Sequence, residues 1–506
     1  MADYYLGIDI GTNESKAALI DHRCRLVSFA SESHAMQNPQ PGWFEHDARE
    51  DWWGSFCRLS RKILAQTGIA PEEIRCVGLS ALGCDCLPVD ENCEPLCNAI
   101  LYGVDSRSQK EMEWLNDYYG EAAETLFGHP ICSSDISPKI LWLKNNRPEV
   151  YAAAAKFLTG SSFLCARLTG EYTIDKYLAE DFMPLYNLGD DSIDQEHCAL
   201  FCRPDQLAEI RHATDIAGHV TAKAAAETGL HPGTPVLVGT GDSGAEAVST
   251  GVFQPGDIMV QLGSSCFFVY LTDHLVQEER LWPGTFIIPG VYSVCAGTNT
   301  AGTLTRWLRD ELFFDLALQE GQGGENAYAA MAAAASDIPP GSDGLICLPY
   351  FAGERTPLND PRAKGVFFGL ELRHTRAHLY RAALEGICYT IAQHFDILEA
   401  NGLPVEKIMV VGGGTKNPLW LQMVADVLGK PVCTASVTFG AAFGDAIMAA
   451  LSGGAYRSWA ELAQVVQPEQ TIYPNEQAHA VYQARKPLFA ALYENTAELM
   501  HRCEEA

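Results

Sequence analysis

The chain has 506 residues, 35 basic against 64 acidic side chains and 47% hydrophobic residues, for a formal net charge of −29. That charge excludes nucleic acid and anionic membranes as partners of the surface as a whole, and the absence of any run of about 18 apolar residues excludes a spanning helix. The length calls for two domains of roughly 250 residues each. Seventeen cysteines, an odd number with no CxxC pair, point to reduced thiols in a cytoplasmic protein; Cys84-x-Cys86 and Cys93-x₃-Cys97 lack partners at zinc spacing. The N-terminus has neither the basic start nor the apolar run of a signal peptide.

Residues 4–20 read as strand, turn, strand, with Asp9 closing the first arm and Gly11-Thr12 in the turn. Backbone N–H groups and hydroxyls in such a turn can cradle phosphate, and Lys16 starts the return arm. Residues 49–64 form an amphipathic helix, residues 72–80 lead into a buried strand, and residues 81–86 make a glycine-containing turn. A strand over 99–102 ends in Gly103-Val104-Asp105-Ser106-Arg107, where Asp105 and Arg107 either pair with each other or contact a polar ligand. The region 108–211 reads as mostly helical.

Residues 236–247, VLVGTGDSGAEA, combine a buried strand, a tight glycine turn and a helix start. One carboxylate, Asp242, stands at the turn, flanked by glycines that permit close approach of a substrate; it is the candidate general base of a phosphoryl transfer. Two other readings fit the same letters. Gly239, Gly241 and Gly244 spell the dinucleotide fingerprint GxGxxG, although no acid follows about 20 residues on, and Asp242 can simply cap the helix.

Residues 257–271 repeat the strand, turn, strand outline of 4–20, this time around Gly263-Ser264. Two such hairpins predict two related halves that each contribute a phosphate-gripping hairpin to a single nucleotide in the cleft between them. Residues 295–308 place a small-residue turn before a helix, 344–349 form a buried strand, and a long helix is expected over 376–399. A strand over 407–411 runs into Gly412-Gly413-Gly414, followed by Asn417 and a helix over 418–428, so that a flat ring can lie on glycine backbone beside Asn417. Residues 438–450 form a small-residue helix.

Gly7-Ile8-Asp9-Ile10-Gly11-Thr12, Gly239-Thr240-Gly241-Asp242, Leu262-Gly263-Ser264, Gly353-Glu354-Arg355-Thr356-Pro357 and Gly412-Gly413-Gly414, in this order, resemble the FGGY carbohydrate kinases of the actin/hexokinase-like ATPase superfamily, in particular their xylulokinase-type branch. The resemblance spans essentially the whole chain, and its longest match is residues 365–385. It implies an α/β fold of two RNase H-like domains flanking a cleft, residues 1–248 and 249–506, and ATP-dependent phosphorylation of a sugar hydroxyl with Mg²⁺. It casts Asp242 as the catalytic aspartate and Asp9 as the one that holds the metal. The nucleotide-side candidates are Gly11, Thr12, Asn13, Lys16, Gly263, Ser264, Gly302, Gly413, Gly414 and Asn417. The sugar-side candidates are Leu82, Gly83, Cys84, Tyr102 and Asp105, together with Asp242. Pro138-Lys139 and Trp142 fit the family's first signature segment, with Ile136 where Pro, Ser or Thr is usual. The turn at 81–84 lacks both the Gln-Met-His run of well-known xylulokinases and the Arg-Glu pair of glycerol kinases. A ketopentose, D-xylulose first, is the expected substrate, with another ketose or a polyol as the alternative; the expected partners are a small sugar and ATP, with room for a homodimer. A non-catalytic sugar or nucleotide sensor, a chaperone-type ATPase and an NAD-dependent oxidoreductase are the competing classes.

Overall fold

Both expected hairpins form, and each sits inside a seven-stranded sheet. The computed structural model describes residues 3–435 and 440–505, and they fall into two units. Unit 1 comprises Met1–Phe253, Gly284–Tyr292 and Phe439–Gln467; unit 2 comprises Gln254–Pro283, Ser293–Thr438 and Pro468–Ala506. Two segments beyond residue 249 therefore belong with the N-terminal portion of the chain.

The unit 1 sheet is built from β1 (Tyr4–Ile10), β2 (Glu14–Asp21), β3 (Leu26–Ser33), β4 (Ile74–Ala81), β5 (Ile216–His219), β6 (Pro235–Leu237) and the short β7 (Thr240–Gly241). Their order is β5-β6-β4-β1-β2-β3, with β7 also on β4. β1 and β4 run parallel and are buried nearly end to end, as strands covered on both faces must be. β4 pairs in parallel with β6 and β7 as well, so the carboxyl ends of β1, β4 and β7 lie side by side. In open α/β sheets that is the edge where ligands bind.

The helix Ala441–Ser452 packs on β1, β4 and the helix Asp242–Ser249 because glycines let the backbones approach. A Cβ on Gly7 would fall on Ala442 O, one on Gly78 on Asp445 O, and one on Gly444 on Ala245 O. Of the small-residue helix expected at 438–450, Thr438 and Phe439 lie outside the described residues, and the helix itself starts at Ala441.

Six of the seven strands of the second sheet, β8 (Asp257–Leu262), β9 (Cys266–Thr272), β10 (Tyr292–Thr298), β11 (Lys407–Val411), β12 (Val432–Thr434) and β13 (Gln470–Ile472), follow the order β10-β9-β8-β11-β12-β13. β8 and β11 are parallel, which again brings two strand ends, each followed by a glycine turn, next to one another. The helix Arg376–Ala400 carries the end of the 365–385 match, and there the residues are structural. Arg381 Nε donates to Glu385 at 3.0 Å, and Glu385 also accepts the Gly341 N–H and the Ser342 hydroxyl, so this buried ion pair has its hydrogen bonds filled. Among the described residues, no helix is long and apolar enough to cross a membrane.

Candidate functional site

Strand register sets the acidic centre of unit 1. Asp9 on β1 lies opposite Ser80 on β4, and Thr240 on β7 lies opposite the same Ser80, so Asp242 follows one peptide beyond the row. Asp242 is the first residue of the helix Asp242–Ser249, with Gly241 as the N-cap. Its Oδ1 accepts the Ser243 N–H at 2.7 Å, and Oδ2 makes no hydrogen bond within the described protein. Capping therefore does not consume the carboxylate. Gly239 makes the turn before it, with φ +83° and no room for a Cβ beside Leu79 O, so this glycine of the GxGxxG pattern serves strand geometry. Loss of solvation, followed by Glu246 one turn along the same helix, raises the Asp242 pKa to about 6.

Asp9 is almost fully buried. Desolvation first and the Asp242 charge second push its pKa to about 8, against the opposing pull of Ser80 and Lys16. Lys16 stands directly across the hairpin from Asp9, on the same face of the sheet, and lies 3.5 Å from Glu14. Behind Asp9 the structure adds Asp445, an acid that sequence reasoning missed. Ser80 Oγ lies 3.0 Å from Asp9 Oδ1 and 2.7 Å from Asp445 Oδ2. One hydroxyl carries one proton and cannot donate to both, so one of the two carboxyls must supply its own. Asp445 has no exposed surface, and burial holds its pKa well above the carboxylate range. Asp445 is thus the protonated member, donating to Ser80, which donates on to Asp9. A lone charge in an otherwise small and apolar helix was the available signal for it.

The sugar-side candidates gather around a second buried group. Leu82 is core, its N–H donating to Ile10 O. Gly83 packs close to Leu178, and Cys84 takes a left-handed φ of +64° with its carbonyl accepting Lys139 Nζ at 2.7 Å. Tyr102 OH lies 3.2 Å from Thr12 Oγ1, tying the sugar-side loop to the hairpin turn. Asp105 stands corrected: it is fully buried, Arg107 engages both its oxygens and the Phe44 N–H takes Oδ2, so the internal salt bridge, not a ligand, uses this carboxylate. The Arg107 guanidinium lies over Trp43 at 4.3 Å and pairs with Glu45 as well.

Asp85 and Lys139 complete this group, and the spacing of the motifs singled out neither as a ligand contact. Both are fully buried, and neither Asp85 oxygen has a hydrogen-bond partner of good geometry. Burial raises its pKa well above the usual range, with Lys139 pulling the other way and Asp242 and Asp181 adding to the rise. Asp181 is raised to about 7, mainly by burial. Asp175, raised to about 7 by burial, accepts the Thr240 hydroxyl at 2.7 Å and caps the Leu178 N–H, which steadies the strand before Asp242.

In unit 2 the glycine turns are held by backbone hydrogen bonds. The Gly263 and Ser264 carbonyls accept the N–H groups of Gly302, Ala301 and Thr303, which clamps this turn onto the start of the helix Gly302–Leu312. A Cβ on Gly302 would sit 2.5 Å from Gly263 O. Gly412 (φ +90°) and Gly414 pack against Leu262, whereas a Cβ on Gly413 would point into open space. Asn417 is the N-cap of the helix Pro418–Leu428: its Oδ1 accepts the Trp420 N–H and its Nδ2 donates to Tyr380 OH. Glu354, raised to about 7 by burial, accepts the Asn299 and Arg355 N–H groups, and Arg355 donates to Thr298 O. The Gly353–Pro357 motif thus braces the turn after β10.

Family comparison matches residues 4–249 to the N-terminal domain, and residues 258–453 to the C-terminal domain, of the FGGY family of carbohydrate kinases. The chain belongs to this family. The kinase is 28% identical over 499 residues to the xylulose kinase of Escherichia coli K12, covering 98% of this chain and 100% of that one. It is 29% identical over 500 residues to the gluconokinase of Bacillus subtilis 168, covering 97% and 96%. Among solved structures, the xylulose kinase from Rhodospirillum rubrum superposes with a TM-score of 0.88 at 28% identity, covering 98% of this chain and 100% of that one. The two-domain FGGY fold and the activity class, phosphoryl transfer to an alcohol of a carbohydrate, follow from these matches.

Within unit 1, the oxygen-only donor set at Asp9 and Asp242, with Lys16 as a cation that acts on both, suits Mg²⁺, a hard cation that prefers carboxylates and water.

Proposed function

We propose that this kinase transfers the γ-phosphoryl of ATP to a hydroxyl of an uncharged ketose, a ketopentose first and D-xylulose to D-xylulose 5-phosphate in particular. The observation that carries the reading is Asp242 itself: a carboxylate with a pKa raised to about 6 and one unengaged oxygen, at the carboxyl end of a parallel strand. Such a group is ionised at neutral pH yet basic enough to accept a proton from an alcohol as that oxygen attacks phosphorus. Asp9 would hold Mg²⁺, which when bound offsets charge on the phosphate oxygens. Lys16 faces the same side, and the turn at Gly11, Thr12 and Asn13 offers backbone and hydroxyl donors to phosphate. In unit 2, Gly263, Ser264 and Gly302 are proposed to face the phosphates and Gly413 and Gly414 the adenine, with Asn417 shaping that turn by capping its helix.

The charge around the sugar-side loop supports a neutral substrate. Asp181 and Asp242 both act electrostatically on Asp85, and Lys139, the cation that acts on Asp85 and Asp181, donates to the Cys84 carbonyl. Hydroxyls of a polyol suit the unpartnered oxygens of Asp85, whereas the carboxylate of an aldonate would be repelled by ionised Asp242. The deciding experiment is ADP release over a panel of pentuloses, hexuloses, polyols and gluconate. The expectation is turnover on a ketopentose, with Asp85→Asn raising its KM about twofold to tenfold, the worth of one neutral hydrogen bond. Preference for gluconate would overturn the neutral-substrate reading, and no ADP release with any sugar would favour a non-catalytic sensor.

A further inference from the structure

A different donor set lies in unit 1 between the helix Ala123–Phe127 and the helix Ser137–Asn146, in the sequence His129-Pro130-Ile131-Cys132-Ser133-Ser134-Asp135. We propose that His129, Cys132 and Asp135 bind a transition-metal cation of the Zn²⁺ class. One ligand atom from each lies within 4.8 Å of the other two. His129 Nδ1 is 2.9 Å from Pro130 O. A carbonyl can only accept, so Nδ1 carries the hydrogen, and in the neutral ring Nε2 keeps its lone pair. That lone pair faces Asp135 Oδ1 at 3.4 Å.

Asp135 is buried, with Oδ2 taken by the Cys132 N–H at 2.7 Å and Oδ1 without a hydrogen-bond partner of good geometry. An imidazole nitrogen and a carboxylate oxygen at this distance can share either a proton or a metal cation, and the Cys132 sulfur beside them supplies the third ligand that a metal uses and a proton does not. Bonds of about 2.0–2.2 Å in a tetrahedral site place nitrogen and oxygen ligands about 3.4 Å apart, which is the spacing found, and the exposed Cys132 thiolate can complete a third position with a shift of about 1 Å. The mixed nitrogen, sulfur and oxygen set suits Zn²⁺ or Co²⁺ and not Mg²⁺. The Pro130 carbonyl then plays the orienting part that metal-bound imidazoles need.

The segment also straps the sugar-side loop: Ser133 Oγ donates to Gly103 O at 2.7 Å, and Ile136 N–H donates to Asp181 O at 2.7 Å. A bound cation would pin that strap.

The test uses the full chain, freed of metal by chelation. Zn²⁺ titration by calorimetry should give one tight site per chain, with a chelator-reversible rise in melting temperature. Co²⁺ loading should give a thiolate-to-cobalt charge-transfer band that Cys132→Ser abolishes, and His129→Gln should weaken Zn²⁺ binding at least tenfold. Cys132 is exposed, so its substitution leaves folding intact, as thermal melting checks. A charge-transfer band that persists in Cys132→Ser, or unchanged affinity in His129→Gln, would overturn the assignment. So would the absence of stoichiometric Zn²⁺ binding, which reduces the cluster to a His129–Asp135 ion pair.

Discussion

Replacing Asp242 by Asn isolates basicity from shape. The amide oxygen can still accept the Ser243 N–H, so the helix start and the strand before it are retained. A positioned general base contributes about 10²–10⁴ in rate, so kcat should fall by that factor while the KM for ATP changes by less than about twofold. The wild-type pH profile supplies the control. With a pKa of about 6, Asp242 is ~97% ionised at pH 7.5 and ~9% at pH 5, so kcat/KM should drop about tenfold across that interval. Glu246 adds to the upward shift after desolvation, so Glu246→Gln should move the acid limb to lower pH while the neutral-pH plateau stays. Coupled ADP release with the best sugar of the panel reads all three. An Asp242→Asn variant retaining more than about a tenth of the wild-type rate would refute the role, and so would an acid limb that ignores Glu246→Gln.

Asp445→Asn should cost less than about 1 kcal/mol in urea denaturation, because a protonated carboxyl and an amide can both donate to Ser80; a loss of several kcal/mol would mean that Asp445 is ionised. Asp9, at about 8, and Asp175 and Asp181, at about 7, have folded-state pKa values above the ~4 of an unfolded chain. Their protonated forms stabilise the fold, a contribution fully present below about pH 4 and lost as pH rises through 7–8. The melting temperature of the ligand-free kinase should therefore be higher at pH 6 than at pH 8.5, and a rise with pH over that range would contradict these values. Gly444→Ala sets a methyl against the Ala245 carbonyl and should destabilise by roughly 3 kcal/mol or more, seen as a lower denaturation midpoint.

The elements that follow from local pattern were legible in the chain itself. Both hairpins, the strand over Lys407–Val411, the helix over Pro418–Leu428 and the start of the long helix at Arg376 need only apolar periodicity and glycine turns within one window. Asp242 and Asp9 stood out for the same reason, as single acids at strand ends beside glycines. Residues 438–450 could be read as a small-residue helix, but nothing in their letters said which sheet they would cover.

What tertiary structure alone decided is the company each acid keeps. Glycine–backbone contact lays the helix Ala441–Ser452 on β1 and β4, and that contact has no sequence signature, because the absence of a side chain names no partner. It brings Asp445 to Ser80 and Asp9 across more than 360 residues. Asp105 looked as fit for a ligand as for an ion pair until Arg107, Phe44 and Trp43 closed around it. Asn417 turned out to cap a helix, and Asp85 to lie buried beside Lys139. A carboxylate's chemistry depends on desolvation and neighbouring charge, both set by packing among segments far apart in the chain; the sequence names the acid, and the fold sets its proton affinity.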